Sequence, residues 1–199
     1  MKNQLTIVVA TNNHHKLKEL RELFSPYNVK LLSLNDANIH VNPDENGNSY
    51  KENAFIKASE VAKYTKFPVM SDDSGIEISE LGDHFPGIYS SRYAKENGGQ
   101  EVINEFLSTN HHGSKATFHC HIVLLNLKPG SRYDFEGIME GKINNKIEGE
   151  HGFGYDPIFV PDGYEHSVST LSDEEKNSIS HRHNAAIKVI EFLKQISLI

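Results

Sequence analysis

The sequence predicts an α/β protein whose mixed, partly antiparallel sheet is flanked by helices, and three observations carry that expectation. Short β-branched apolar runs alternate with stretches whose apolar residues recur at helical spacing, the pattern of strands covered by helices. Two long strand-like stretches, residues 116–127 and 132–143, are separated only by the turn former Lys128-Pro129-Gly130-Ser131, which suggests an antiparallel hairpin. No internal repeat or low-complexity tract interrupts the alternation.

The elements follow in order. Leu5-Thr6-Ile7-Val8-Val9-Ala10 is β-branched and apolar, as expected of an interior strand covered on both faces. Residues 16–24 carry Leu17, Leu20, Leu23 and Phe24 at helical spacing, and Ser25-Pro26 ends that helix. Ser49-Tyr50-Lys51-Glu52 has the form of a capping box, behind which Ala54, Ala58, Val61 and Ala62 form one helical face. Phe67-Pro68-Val69-Met70 is a buried strand, residues 101–107 form a shorter helix, and the hairpin strands follow. Ile158-Phe159-Val160 is a last short strand, and residues 185–196 form the terminal helix through Ile187, Ile190 and Leu193.

Composition sets the class. A chain of 199 residues, 37% hydrophobic and 24% charged, is expected to form one soluble domain, 1–199, with one lobe or two, large enough to bury a substantial core. A formal net charge of −7 argues against nucleic acid or an acidic membrane as partner, because both need a clustered basic surface. The single cysteine, Cys120, leaves no internal disulfide, and the first apolar run is too short for a signal core or a membrane span. The expectation is a cytoplasmic enzyme or binding protein.

Four polar clusters carry the chemistry. Ser71-Asp72-Asp73-Ser74-Gly75 places two carboxylates after an apolar strand, where burial needs compensation and a divalent cation is the usual one. Side chains alternate along a strand, so Asp72 and Asp73 are expected to face opposite ways and to do different jobs; alone, the pentapeptide would be a plain turn. Thr11-Asn12-Asn13-His14-His15-Lys16 lies between a strand and a helix, where backbone N–H groups and the helix dipole suit a phosphate, although it lacks the glycines of a Walker A loop. In Gly152-Phe153-Gly154-Tyr155-Asp156-Pro157 the glycines permit close approach, the rings offer a platform for a nucleobase and Asp156 an acceptor; the bland alternative is a tight turn with its aromatics in the core. Lys176 and Ser180-His181-Arg182 lie ahead of the terminal helix, after the cap Ser172 and its partner Glu175, and supply donors. Together the four form the outline of a nucleotide site.

Six motifs, Thr11 to Lys16, Glu52-Asn53-Ala54 with Lys57-Ala58, Asp72-Asp73-Ser74-Gly75, Pro86-Gly87-Ile88-Tyr89-Ser90-Ser91-Arg92-Tyr93, Phe153-Gly154-Tyr155-Asp156-Pro157 and Ser180-His181-Arg182, resemble those of the inosine triphosphate pyrophosphatase family, the XTP/dITP diphosphatases. They run in family order from residue 11 to residue 182, with Asn12 where many members have glycine and Ser91 where alanine is common. The resemblance implies an elongated two-lobed α/β fold with a cleft between lobes, a homodimer, and hydrolysis of ITP, dITP and XTP to the monophosphate and pyrophosphate. It further implies that Glu45 and Asp73 bind the metal, Mg2+ or Mn2+, with Asp73 also the general base. Thr11, Asn12, Asn13, His14, His15, Lys16 and Ser74 would hold the triphosphate, and Phe153, Gly154, Tyr155, Asp156, Lys176, His181 and Arg182 the base.

Competing classes fit less well. A nucleotide-sensing module would not need the acidic pair, and an aspartyl-phosphate phosphatase would want an Asp-x-Asp nucleophile that Asp72-Asp73-Ser74 does not supply. A zinc site built from His119, Cys120 and His121 lacks a second ligand pair at a recognisable spacing.

Overall fold

The computed structural model describes residues 4–199. The strands are β1 (Leu5–Val9), β2 (Val29–Leu32), β3 (Val69–Ile78), β4 (Lys115–Leu125), β5 (Arg132–Ile143) and β6 (Phe159–Pro161). The helices are α1 (His14–Phe24), α2 (Tyr50–Ala62), α3 (Ser90–Glu96), α4 (Gln100–Asn110), α5 (Asp173–Ile179) and α6 (His181–Gln195). Hydrogen bonding joins the strands in the order β2-β1-β3-β4-β5-β6, with β1 parallel to β2 and β3, and β5 antiparallel to β6. The sheet is therefore mixed, as expected. The chain divides into two compact units, one of Met1–Asp73, Cys120–Gly137 and Arg182–Ile199, the other of Ser74–His119 and Ile138–His181.

In the first unit β1 is covered on both faces, and its alternation shows how. Ile7 and Val9 join Leu17, Leu20 and Phe24 of α1 and Ala185, Ala186, Val189 and Leu193 of α6 in one apolar cluster. Val8 and Ala10 face the other way, into a cluster with Ala54, Ala58 and Val61 of α2 and Val69 of β3. The turn after β4 forms as its residues dictate, with Ser131 N donating to Lys128 O and Lys128 N to the Ser131 hydroxyl. In the second unit Ile76 and Ile78 of β3, Phe118 of β4 and Met139 and Ile143 of β5 pack with Ile103 and Leu107 of α4. Phe118 and Phe159 meet with ring centroids 4.7 Å apart.

Three local expectations change. Residues 71–75 do not turn: β3 runs through them to Ile78, because the two carboxylates find cationic partners and need no solvent. The terminal helix begins at His181 rather than 185, since Ser180, extended at φ −64° and ψ 154°, closes α5 and lets α6 start at once. The Ser49 hydroxyl accepts from Glu52 N as a cap should, but the Glu52 carboxylate reaches past it to Asn48 N at 2.7 Å, so the box is only half formed. The cap expected at Ser172 with its partner Glu175 forms as a full reciprocal capping box at the start of α5. The short parallel strand β2 and the helix α3 were not expected.

Candidate active site

The parity of β3 distributes the first unit's polar groups. Val69 belongs to the cluster lined by α2 and Met70 to that lined by α1 and α6, so odd positions face α2 and even positions face the other two helices. The partners obey this rule. Ser71 donates to Ala54 O on α2, and Asp73 accepts from Asn53 and Lys57 of the same helix. Asp72 turns to Lys16 on α1 and Arg182 on α6, its Oδ2 lying 2.9 Å from Lys16 Nζ and 3.3 Å from Arg182 Nε. Arg182 also pairs through Nη1 with Glu19, a buried carboxylate one turn along α1 from Lys16. The adjacent aspartates thus serve different groups, as strand alternation predicts.

Their charges are tuned differently. Burial pushes the Asp72 carboxyl up, but Lys16, Arg182 and Lys57 more than offset it and hold the group well below the usual carboxylate range. Burial also dominates at Asp73; Lys57 and Lys16 offset only part of it and Glu45 adds repulsion, so Asp73 is raised. For Lys57, burial works against the ammonium, yet Asp73, Asp72 and Glu45 outweigh it and keep the group cationic. Lys57 Nζ stands 3.0 Å from Glu45 Oε1 and 3.1 Å from Asp73 Oδ1, so one ammonium joins two carboxylates from distant parts of the sequence. Asp72 Oδ1 is buried with no hydrogen-bond partner among the described residues.

The β1–α1 loop behaves as a capped helix entry. Asn13 accepts from His15 N at 2.9 Å and Lys16 N at 3.2 Å, and its own N–H donates to Thr11 Oγ1 at 3.1 Å. Several backbone donors expected for a phosphate are therefore turned inward, which shifts the weight to the side chains: Asn12, His14 and His15 are exposed, and Lys16 is held by Asp72. Ser74, the next residue of β3, is half-buried.

The second unit holds the other cluster. Asp156 Oδ2 accepts from Lys176 Nζ at 2.7 Å and from Phe153 N at 2.8 Å, tying the turn to α5. Lys176 Nζ also sits 4.9 Å from the centre of the Phe153 ring. Gly152 has φ +82°, and a Cβ there would come within 2.3 Å of Asp156 Oδ2, so the turn requires glycine. Tyr155 takes the bland alternative: it is buried in the core and its hydroxyl donates to Ser90 O at 2.8 Å, fixing the turn rather than offering a ring face. Phe153 is half-buried, and His181 stacks on Phe118 at 4.7 Å. Arg182, grouped in the sequence with His181, falls in the first unit's ion-pair set with Asp72 and Glu19.

A family model described as the Ham1 family matches residues 7–192, a span that contains every motif described above. The chain belongs to the Ham1 family. A protein of Clostridium perfringens named dITP/XTP pyrophosphatase is 39% identical over 200 residues, covering 95% of this chain and 97% of that one. Among solved structures, a HAM1 protein from Coxiella burnetii matches with a TM-score of 0.83 and 34% identity, over 96% of this chain and 99% of that one. The Staphylococcus aureus Ham1 protein matches with a TM-score of 0.82 and 34% identity, over 96% and 100%. The resemblance to the XTP/dITP diphosphatases is thereby borne out.

Three polar residues of this Ham1 chain stand in the first unit's cluster without having been assigned a role from the sequence. Lys57 and Asn53, one turn apart on α2, both reach Asp73, and Glu19 meets Arg182. The signal was present as spacing: Asn53 and Lys57 are separated by four residues and Lys16 and Glu19 by three, so each pair shares a helix face.

Proposed function

We propose that this protein hydrolyses deaminated purine nucleoside triphosphates, ITP, dITP and XTP, to the nucleoside monophosphate and pyrophosphate, and so clears them from the nucleotide pool. The near full-length identity of 39% to a protein named dITP/XTP pyrophosphatase carries this reading. The charge arrangement around Asp72 and Asp73 supports it. Asp73, whose carboxyl burial raises, is the general base that takes a proton from the attacking water, a role typically worth about 10²–10⁴-fold. Lys57, kept cationic by Asp73, Asp72 and Glu45, and Lys16, which pairs with Asp72, would hold phosphate oxygens, with Thr11, Asn12, Asn13, His14, His15 and Ser74 completing the phosphate contacts.

The acidic residues fit a hard divalent cation. Glu45 and Asp73 already share one positive charge, and Asp72 Oδ1 is a buried acceptor with no hydrogen-bond partner among the described residues. Mg2+ takes one or two carboxylates together with substrate phosphates, a requirement the pair Glu45 and Asp73 could meet. Glu45 and Asp73 would hold Mg2+, with Mn2+ as the alternative, and the ion would neutralise charge developing on the phosphates. Phe153, Gly154, Asp156, Lys176 and His181 are assigned to the base, with Tyr155 fixing the turn beneath them, while Arg182, expected there, instead pairs with Asp72 and Glu19. Hypoxanthine and xanthine present O6 as an acceptor where adenine presents a donor, so donors at that edge favour the first two; a site built this way can reject the mismatched analogue by about 10⁴–10⁵-fold. The protein acts as a cytoplasmic homodimer in this reading.

The test is a panel of purine triphosphates with Mg2+, reading phosphate with and without added inorganic pyrophosphatase. Signal should need the auxiliary enzyme, with ITP and XTP far above ATP; guanine shares O6, so GTP should also be poor only because no acceptor or room is left beside its N2 amino group. Direct release of orthophosphate, or equal rates on ITP, ATP and GTP, overturns the assignment.

A further inference from the structure

We infer that Asn53 is a positioning residue that sets the spacing between Glu45 and Asp73; this rests on the function just proposed. Asn53 is fully buried on α2, and both ends of its amide are committed. Nδ2 donates to Asp73 Oδ2 at 3.3 Å, while Oδ1 accepts from Gly47 N at 2.9 Å, two residues along the chain from Glu45. One rigid, planar group therefore joins the strand that carries one carboxylate to the loop that carries the other. The loop lies tight against the helix at this point: a Cβ on Gly47 would come 2.7 Å from Glu52 Cβ and 2.9 Å from Asn53 Oδ1. The Glu52 carboxylate adds a second tie through Asn48 N.

The neighbouring Lys57 cannot substitute for this. An ammonium attracts both carboxylates but has no preferred direction, whereas a primary amide is planar and fixes its N–H donors on one arm and its acceptor oxygen on the other. Lys57 supplies charge to Glu45 and Asp73, and Asn53 supplies geometry. With Nδ2 fixing Oδ2 of Asp73, the carboxylate plane is held while Oδ1 faces Lys57. Partners of this kind behind a working carboxylate typically change affinity or activity by about 10–100-fold when removed.

Two variants separate positioning from scaffolding. Asn53→Asp keeps the acceptor for Gly47 N and replaces the donor to Asp73 with an oxygen; Asn53→Ala removes both ties. Folding is followed by circular dichroism, turnover by kcat and KM on ITP, and Mn2+ binding to the substrate-free protein by electron paramagnetic resonance. Positioning predicts a kcat lower by about 10–100-fold with KM changed by less than about threefold in Asn53→Asp, and Mn2+ binding weakened by about 10-fold or more in Asn53→Ala. A folded Asn53→Asp with kcat within about threefold of the unmodified protein, or a folded Asn53→Ala with unchanged Mn2+ affinity, overturns the role. Failure of both variants to fold assigns Asn53 to the scaffold instead, and equally overturns it. Wild-type turnover of ITP, measured alongside, tests the function separately, and the Mn2+ arm does not depend on which nucleotide is the substrate.

Discussion

Replacing Asp73 by Asn puts both its hydrogen bonding and its chemistry to the test. Both carboxylate oxygens accept, Oδ1 from Lys57 Nζ and Oδ2 from Asn53 Nδ2, so an amide in either orientation turns an NH2 toward one of these donors. A buried donor left unpaired costs about 1–3 kcal/mol. Loss of the charge itself adds little, because burial already raises Asp73 and the folded protein favours its ionised form less than water does. The net loss should be about 1–3 kcal/mol, which for a chain of this size lowers Tm by roughly 2–4 °C per kcal/mol. Turnover should fall by about 10²–10⁴-fold, the usual worth of a general base. Thermal unfolding and coupled pyrophosphate release on ITP measure the two effects. A folded variant keeping turnover within a few-fold, with unchanged Mg2+ dependence, would show that Asp73 is not the base and would move attention to Asp72; a raised Tm would refute the donor-pairing argument.

Further expectations concern other sites. Asp156→Ala removes the carboxylate that pairs with the buried Lys176 ammonium and should cost about 3–5 kcal/mol in urea unfolding; with Lys176→Met the two losses should fall short of adding in the double variant, and additive losses would deny the coupling. In Gly75→Ala the new Cβ would meet Gly87 O at 2.1 Å and Ser90 Oγ at 2.7 Å, so stability should fall by about 1–3 kcal/mol or more, and an unchanged urea midpoint would contradict the packing. Burial pushes the Cys120 thiol up to about 12, with Asp72 adding to it, so iodoacetamide at pH 8.5 should label the unfolded chain and leave the native protein untouched. By the same sign, a thiol whose folded value lies above its ordinary 9.0 adds stability that is complete below pH 9 and is lost as pH rises toward 12. The difference in unfolding free energy between the protein and Cys120→Ala should shrink over that window, and a constant difference would refute it.

What the sequence made legible was mostly what local patterns encode. The run from Leu5 to Ala10 announced a strand buried on both sides, and Ala54, Ala58 and Val61 announced the face of α2 that packs on it. Strand parity even foretold that Asp72 and Asp73 would part company. The continuation of β3 through Asp72, Asp73, Ser74 and Gly75 was hidden because these residues favour turns, and only charges far away in sequence, Lys16, Lys57 and Arg182, reverse that preference. The four residues of β2 are too few to show a period. Arg182 was grouped with His181 by adjacency, yet the first turn of α6 sends it to Asp72 and Glu19. Arg182→Ala would thus leave two buried carboxylates without that partner, and a loss of activity in that variant would not by itself report on base recognition.

Because the partners of Asp72 and Asp73 are assigned by the odd and even positions of β3, the face each carboxylate reaches depends on the count of residues before it, while its place along the strand sets the contact distance. A one-residue insertion or deletion between Met70 and Ser71 would leave composition and charge almost unchanged. It would nonetheless present to α2 the carboxylate meant for α1 and α6, and the reverse. The hydrophobic anchors at both ends, Val69 and Met70 on one side and Ile76 and Ile78 on the other, hold that count in place.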